Sequence, residues 1–353
     1  MYYDRVFIFL TPFHKTVAET CFPTKLKEHN SLVVFANNIV DYKTGVPIER
    51  CNTKIVNVFK SPLSTYLEYR RYIKYSQKLS LNILKRLQTK SKIEIIIGSE
   101  KDLFTQVFLQ QVFKKRKANL IFFEDGMGFY YRPPKFRLST ILYPLITPIL
   151  FGCRINKVYV FGKDKRASKV YCRYPEYITK STNVEYVKFK MKSEAYNPPK
   201  KSNKVIVFTT PPQDFQLSEK NSISLIKKIA NEILNSFEKI EIKPHPRDLS
   251  NYNKLASENI KIIKKNKSAE KLNFNEFSTV IHFNSTLIIH LLEINFPKDK
   301  IISIITPKSK NTFTSGSKEY FIKMEKKHFD KIVKFISKQT LSSTLHTNNK
   351  DDK

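Results

Sequence analysis

The chain has 353 residues, 41% apolar and 27% charged, and its Lys and Arg outnumber Asp and Glu by 63 to 31, a formal charge of +32. That length suits about two domains of roughly 150 residues each, and the composition suits packed globular structure rather than a disordered or fibrous chain. No run reaches the roughly 18 uninterrupted apolar residues of a membrane span. An acid at Asp4 and the shortness of the first apolar stretch argue against a secretory leader, so a cytoplasmic location is expected.

In chain order, residues 5–10 (RVFIFL), 32–36 (LVVFA), 54–59 (KIVNVF), 93–97 (IEIII), 119–123 (NLIFF) and 157–161 (KVYVF) are short apolar runs that predict buried strands. Between them, 64–88 and 101–116 carry apolar residues at helical spacing. The longest apolar stretch, 138–152 (LSTILYPLITPILFG), is broken by Pro144 and Pro148. It fits a buried helix pair or a patch resting on a membrane surface, and burial is the favoured expectation. Polar 191–204, with its Pro198-Pro199 pair, predicts a linker. Beyond it, strands are expected at 204–210, 239–243, 260–263, 278–283 and 300–305, and helices at 218–237, 285–293 and 317–337. Such alternation predicts the α/β class: two Rossmann-like domains, 1–190 and 204–337, facing a central cleft, with a linker at 191–203 and a disordered tail at 338–353.

In an open parallel sheet, ligands bind beyond the C-terminal ends of the strands. Three polar clusters directly follow predicted strands: Glu124-Asp125-Gly126, Lys243-Pro244-His245-Pro246 and Asn284-Ser285-Thr286. Adjacent carboxylates at the end of a buried strand oppose each other's ionisation, which suits one of them to a general base; a helix or turn start is the plain alternative. His245 lies between prolines that restrict its backbone, beside Lys243 and Arg247, a setting suited to a phosphate leaving group. Ser285 and Thr286 open the expected helix and offer its amides to an anion, and Glu293 lies about two turns further on. Thr11-Pro12-Phe13-His14 reads as a loop after the first strand, with His14 on the acceptor side or in a structural role. Thr210 follows the first strand of the second half and is a candidate nucleotide contact.

Gly126-x-Gly128 is no dinucleotide loop, because position 131 is Tyr. No Asp-x-Asp and no Walker loop occurs, so a donor that leaves as a single phosphate fits better than a metal-bound diphosphate. Cys21, Cys51, Cys153 and Cys172 form no C-x-x-C pair and read as reduced thiols, and the seven histidines have no zinc spacing. Positive charge points to a polyanionic partner or to a Lys-rich composition. Its spread along the chain, and the lack of any zinc-finger, helix-turn-helix or RNA-binding motif, leave no nucleic acid expected. Arg132, Lys135 and Arg137 beside 138–151 leave peripheral contact with an anionic membrane open, at the inner face of the cytoplasmic membrane.

The ordered set, with the strings FEDGMGFYY and KPHPRD, resembles the bacterial sialyltransferases of GT-B architecture, above all the lipooligosaccharide sialyltransferases of glycosyltransferase family 52. The polysialyltransferases of family 38 are also similar. The resemblance implies inverting, metal-independent transfer of sialic acid from CMP-sialic acid, without a cofactor, to a lipooligosaccharide or capsule hydroxyl. In that scheme Glu124 is the preferred base, with Asp125 next. His245 neutralises the departing CMP phosphate with Ser285 and Thr286, and Gly126, Lys243, Pro246, Glu293 and Thr210 stand on the donor side. Alternatives are a transferase using CMP-Kdo or CDP-glycerol, or a basic binding protein without chemistry.

Overall fold

The computed structural model describes residues 2–36, 46–51, 62–88, 92–126, 130, 138–156, 162, 164–178, 182–191, 195–197, 203–212, 218–246, 248–265, 267–283, 287–297 and 300–304. The chain divides into two compact units, Met1–Lys192 and Ser193–Lys353. Each is an α/β unit built on a parallel sheet.

The first unit contains β1 (Arg5–Phe9), α1 (Pro12–Cys21), β2 (Ser31–Phe35), β3 (Ile48–Arg50), α2 (Pro62–Lys85), β4 (Ile93–Ile97), α3 (Leu103–Lys115), β5 (Ala118–Phe123), α4 (Leu138–Phe151), β6 (Ala167–Cys172) and β7 (Glu185–Lys188). Its seven parallel strands run in the order β3-β2-β1-β4-β5-β6-β7. Strand order reverses direction between β1 and β4, the arrangement that opens a crevice at the C-terminal edge of a doubly wound sheet. The strands at the centre are apolar on both faces because helices cover both. Phe7, Phe9, Val33, Phe35, Ile96 and Phe123 pack with Val17 and Phe22 in one of these layers.

Several sequence expectations change here. The strands expected at 54–59 and 157–161 lie outside the described residues. β6 (ASKVYC) and β7 (EYVK) escaped the sequence reading, since half-buried outer strands lack a continuous apolar run. The stretch read as a loop at Thr11–His14 is the first turn of α1. Thr11 caps it by accepting the His14 amide at 3.3 Å, and Pro12 occupies the first turn, where its missing N–H costs nothing. The favoured burial of 138–152 is also overturned: α4 is one helix that runs through Pro144 and Pro148 with most of its apolar side chains exposed.

The second unit contains β8 (Lys204–Phe208), α5 (Glu219–Leu234), β9 (Lys239–Lys243), β10 (Ile260–Ile262), β11 (Thr279–Phe283), α6 (Leu287–Glu293) and β12 (Ile301–Ile304). The order β10-β9-β8-β11-β12, all parallel, repeats the first five positions of the larger sheet. Ser218 caps α5 by accepting the Asn221 amide, and Leu225, Ile226, Ile229 and Ile233 recur at helical spacing to cover β8, β9 and β11. Leu287 and Leu291 of α6 pack on the opposite face with Phe274 and Phe296. The helix expected at 317–337 and the tail at 338–353 fall outside the described residues.

Candidate active site

In the first unit, the ends of β1, β4 and β5 and the first turn of α1 assemble one cluster. These three strands are neighbours in the sheet, and their register aligns Ile8 with Ile97 and Ile97 with Phe122. His14, fully buried, reaches back over these ends. Its Nδ1 accepts the Leu10 amide at 3.2 Å, so in the neutral ring the proton sits on Nε2, which donates to Asp125 Oδ1. The ring stands edge-on against Phe123, with centroids 5.2 Å apart. Gly98, just past β4, leaves room for it: a Cβ there would lie 2.5–2.8 Å from three atoms of the His14 ring. Asp125 keeps 18% of its side chain exposed, and Gly126 turns the chain away at φ 66°, a conformation that glycine adopts without strain. The cluster is therefore a held, partly solvated carboxylate at the sheet's C-terminal edge.

Glu124 has a different environment. Its carboxylate is fully buried and accepts hydrogen bonds from the Arg173 backbone N–H (2.9 Å), Arg173 Nε (3.0 Å), Arg173 Nη2 and the Tyr130 hydroxyl. The register explains this pairing. Phe123 aligns with Tyr171, so Arg173 follows β6 just as Glu124 follows β5. The Tyr130 hydroxyl also accepts the Tyr174 amide at 3.3 Å, and burial beside Glu124 holds Tyr130 well above its usual pKa. A guanidinium, a backbone amide and a hydroxyl occupy the Glu124 oxygens and close them to solvent. The two neighbours, Glu124 the preferred base in the sequence reading and Asp125 the next, thus stand in different surroundings: Glu124 is closed in by its partners and Asp125 meets solvent.

The second unit builds its polar loop after β9. Lys243 is buried, and its ammonium donates to the carbonyls of Pro244 (2.9 Å) and Lys265 (3.1 Å); burial lowers its pKa to about 8. Lys243 thus ties down backbone. The His245 amide donates to Thr209 Oγ1 at 3.1 Å, and the Thr209 hydroxyl donates to Asp248 Oδ2 at 3.0 Å. Asp248, fully buried, also accepts the Tyr252 hydroxyl (2.8 Å) and the Ser250 amide (2.9 Å). This network fixes the Pro-His-Pro turn. His245, Pro246, Thr210 and Glu293 are half-buried on the strand-end loops and on α6. Asn284, Ser285 and Thr286 lie outside the described residues.

The sequence reading missed the supporting roles of Arg173, Tyr130, Asp248 and Tyr252, and took Thr209, with Thr210, for a nucleotide contact where its hydroxyl is bonded to the His245 amide and Asp248. Asp248 and Tyr130 had local signals, three residues after His245 in HPRD and six after Glu124 in FEDGMGFYY. Among the described residues, no group of three or more His, Cys, Asp or Glu is placed to hold a metal ion.

The profile of glycosyltransferase family 52 matches residues 28–309. The chain belongs to glycosyltransferase family 52. Membership makes it a glycosyltransferase, taking a nucleotide sugar and a glycan acceptor. No curated protein matches the sequence. Among solved structures, the family 52 chain is similar to the spinosyn rhamnosyltransferase SpnG at 10% identity and TM-score 0.46, over 98% of this chain and 94% of that one. It is also similar to the Methanocaldococcus jannaschii UDP-GlcNAc 2-epimerase at 13% identity and TM-score 0.45, over 91% of each chain. No helix among the described residues of this family 52 member is long and apolar enough to cross a membrane.

Proposed function

We propose that this family 52 enzyme is a sialyltransferase. It moves sialic acid from CMP-sialic acid to a hydroxyl of a bacterial surface glycan, lipooligosaccharide or capsule, with inversion at the anomeric carbon and without a metal ion. The observation that supports this most is the Asp125 carboxylate: partly exposed at the sheet edge, with one oxygen held by His14 Nε2. An acceptor hydroxyl donates to the other oxygen, Oδ2. As the acceptor oxygen bonds to the anomeric carbon, the bond from that carbon to the CMP phosphate breaks, and CMP leaves with the electron pair. Asp125 takes the proton, a contribution of about 10² to 10⁴ in rate.

His14 is a positioning residue in this scheme, and Glu124 with Arg173 sets the backbone from which Asp125 projects. His245 neutralises the single phosphate that departs, which is why no metal is called for. Thr210, Pro246 and Glu293 contribute donor contacts, as do Ser285 and Thr286 by the resemblance of their motif. Lys243 serves the donor through the carbonyls it holds, and Gly126 through the turn after Asp125.

The test is CMP release from CMP-sialic acid by the purified chain, with EDTA present and mixed glycan acceptors. Acceptor-dependent release that Asp125→Asn and His245→Ala abolish is the expected result. Turnover of CMP-Kdo or CDP-glycerol in its place refutes the sialic acid assignment, and dependence on an added divalent cation refutes the metal-free mechanism.

A further inference from the structure

The apolar helix α4 has no use in the chemistry above, and its surface is unusual for a globular chain. Residues 138–151 contain no charged side chain. Ile141, Leu142, Leu145, Ile146, Ile149 and Leu150 are all exposed, Leu145 to 62% and Ile149 to 85%. At 3.6 residues per turn these six cover about half of the helix circumference. Surface helices of globular chains carry charged or polar residues on that side, and contiguous apolar patches of this kind mark interaction sites. The opposite side is firmly attached. Thr147 is buried, its Oγ1 accepts the Ile155 amide at 2.9 Å, and Phe151 stacks on Tyr66 of α2 with centroids 5.5 Å apart. The helix is thus fixed to its unit and presents its apolar half outward.

Exposed cations lie on the chain next to the patch and on the helix it packs against, where Glu68 is half-buried. Arg154 is exposed just after α4, and Arg70, Arg71 and Lys74 are exposed on α2, the helix that supplies Tyr66. The sequence adds Arg132, Lys135 and Arg137 just before α4. We infer that α4 is a membrane-docking element that lies in the headgroup region of an anionic phospholipid bilayer, its exposed apolar half inserted and Arg70, Arg71, Lys74 and Arg154 supplying cations for the lipid phosphates. An apolar helix face rimmed by Lys and Arg suits that interface. A second copy suits it less well, because self-association brings together two chains that each carry a formal charge of +32, whereas an anionic surface complements that charge. This inference does not depend on the sugar transferred.

The experiment is flotation of the full chain with vesicles of phosphatidylcholine alone and of phosphatidylcholine mixed with phosphatidylglycerol, for wild type, Leu145→Glu/Ile149→Glu and Arg70→Glu/Arg71→Glu. Wild type is expected to bind the anionic vesicles and to prefer them over neutral ones. Each lost apolar anchor weakens binding by about tenfold, so the α4 double variant falls by about a hundredfold. The charge variant loses the preference for anionic vesicles. Both variants alter exposed positions and keep the wild-type melting temperature. Wild type that binds neither vesicle, or an α4 double variant that binds as well as wild type, overturns the inference. So does a dimer in sedimentation velocity that the α4 substitutions dissolve while wild type ignores vesicles, which assigns the patch to a second copy.

Discussion

Replacing Glu124 by Gln keeps the shape of the side chain and removes the negative charge that faces the Arg173 guanidinium, itself only 2% exposed. Breaking a buried ion pair from one side costs about 3–5 kcal/mol, because the surviving charge stays desolvated. In a unit the size of Met1–Lys192, each kcal/mol moves the melting temperature by about 2–4 °C, so Glu124→Gln is expected to lower it by about 6–20 °C. Asp125→Asn carries no such penalty, since its side chain meets solvent and the amide oxygen still accepts from His14; its melting temperature should stay within about 2 °C of wild type. The two neighbours therefore separate in a paired assay. Thermal unfolding by circular dichroism distinguishes Glu124→Gln, and turnover distinguishes Asp125→Asn, which loses about 10² to 10⁴ in kcat. A Glu124→Gln protein with wild-type stability and no turnover refutes the division of labour, as does an active Asp125→Asn protein.

Gly98→Ala places a methyl within 2.8 Å of the His14 ring and must turn that ring out of its bond to Asp125. The expected cost is about 1–3 kcal/mol in stability together with a drop in kcat at unchanged donor KM, measured by melting and steady-state kinetics. Asp248→Ala removes the acceptor that holds Thr209, Tyr252 and Ser250, so the His245 turn loosens. Donor KM should rise more than kcat falls, with about 2–4 kcal/mol lost from stability. His282 on β11 is fully buried, and burial lowers its pKa to about 4 from an unfolded value of 6.5. Between those values the unfolded chain binds the extra proton. Stability that is intact above about pH 6.5 therefore declines as pH falls towards 4, by about 3 kcal/mol. Urea titrations across that window should show the slope in wild type and a flatter one in His282→Gln.

The central strands are readable in the sequence because parallel strands buried on both faces are nearly continuous apolar runs. Residues 5–10, 93–97 and 119–123 correspond to β1, β4 and β5 within a residue or so at either end. From the strand ends followed where to look for polar groups. The identity of their partners did not follow, since Glu124 meets Arg173 across 49 positions and Asp125 meets His14 across 111. Two adjacent carboxylates look equivalent in a string of letters, and only the register of β6 against β5 separates them. The misreading of Thr11–His14 had a local remedy. Thr followed by Pro is a helix-start signature, and the short PFHKTVAETC helix conceals it only by its modest apolar content.

The hydrogen bonds of His14 also decide where a proton goes after it has been collected. Nε2 already carries a hydrogen directed at Asp125, and Nδ1 is occupied by the Leu10 amide, so the ring has no open lone pair with which to relay a second proton. If Asp125 is the base, its discharge between turnovers runs outward through the exposed carboxylate oxygen to water or buffer and not inward through the imidazole. Such an enzyme resets by solvent exchange at the sheet edge, and its turnover should respond to small buffer bases that reach Asp125.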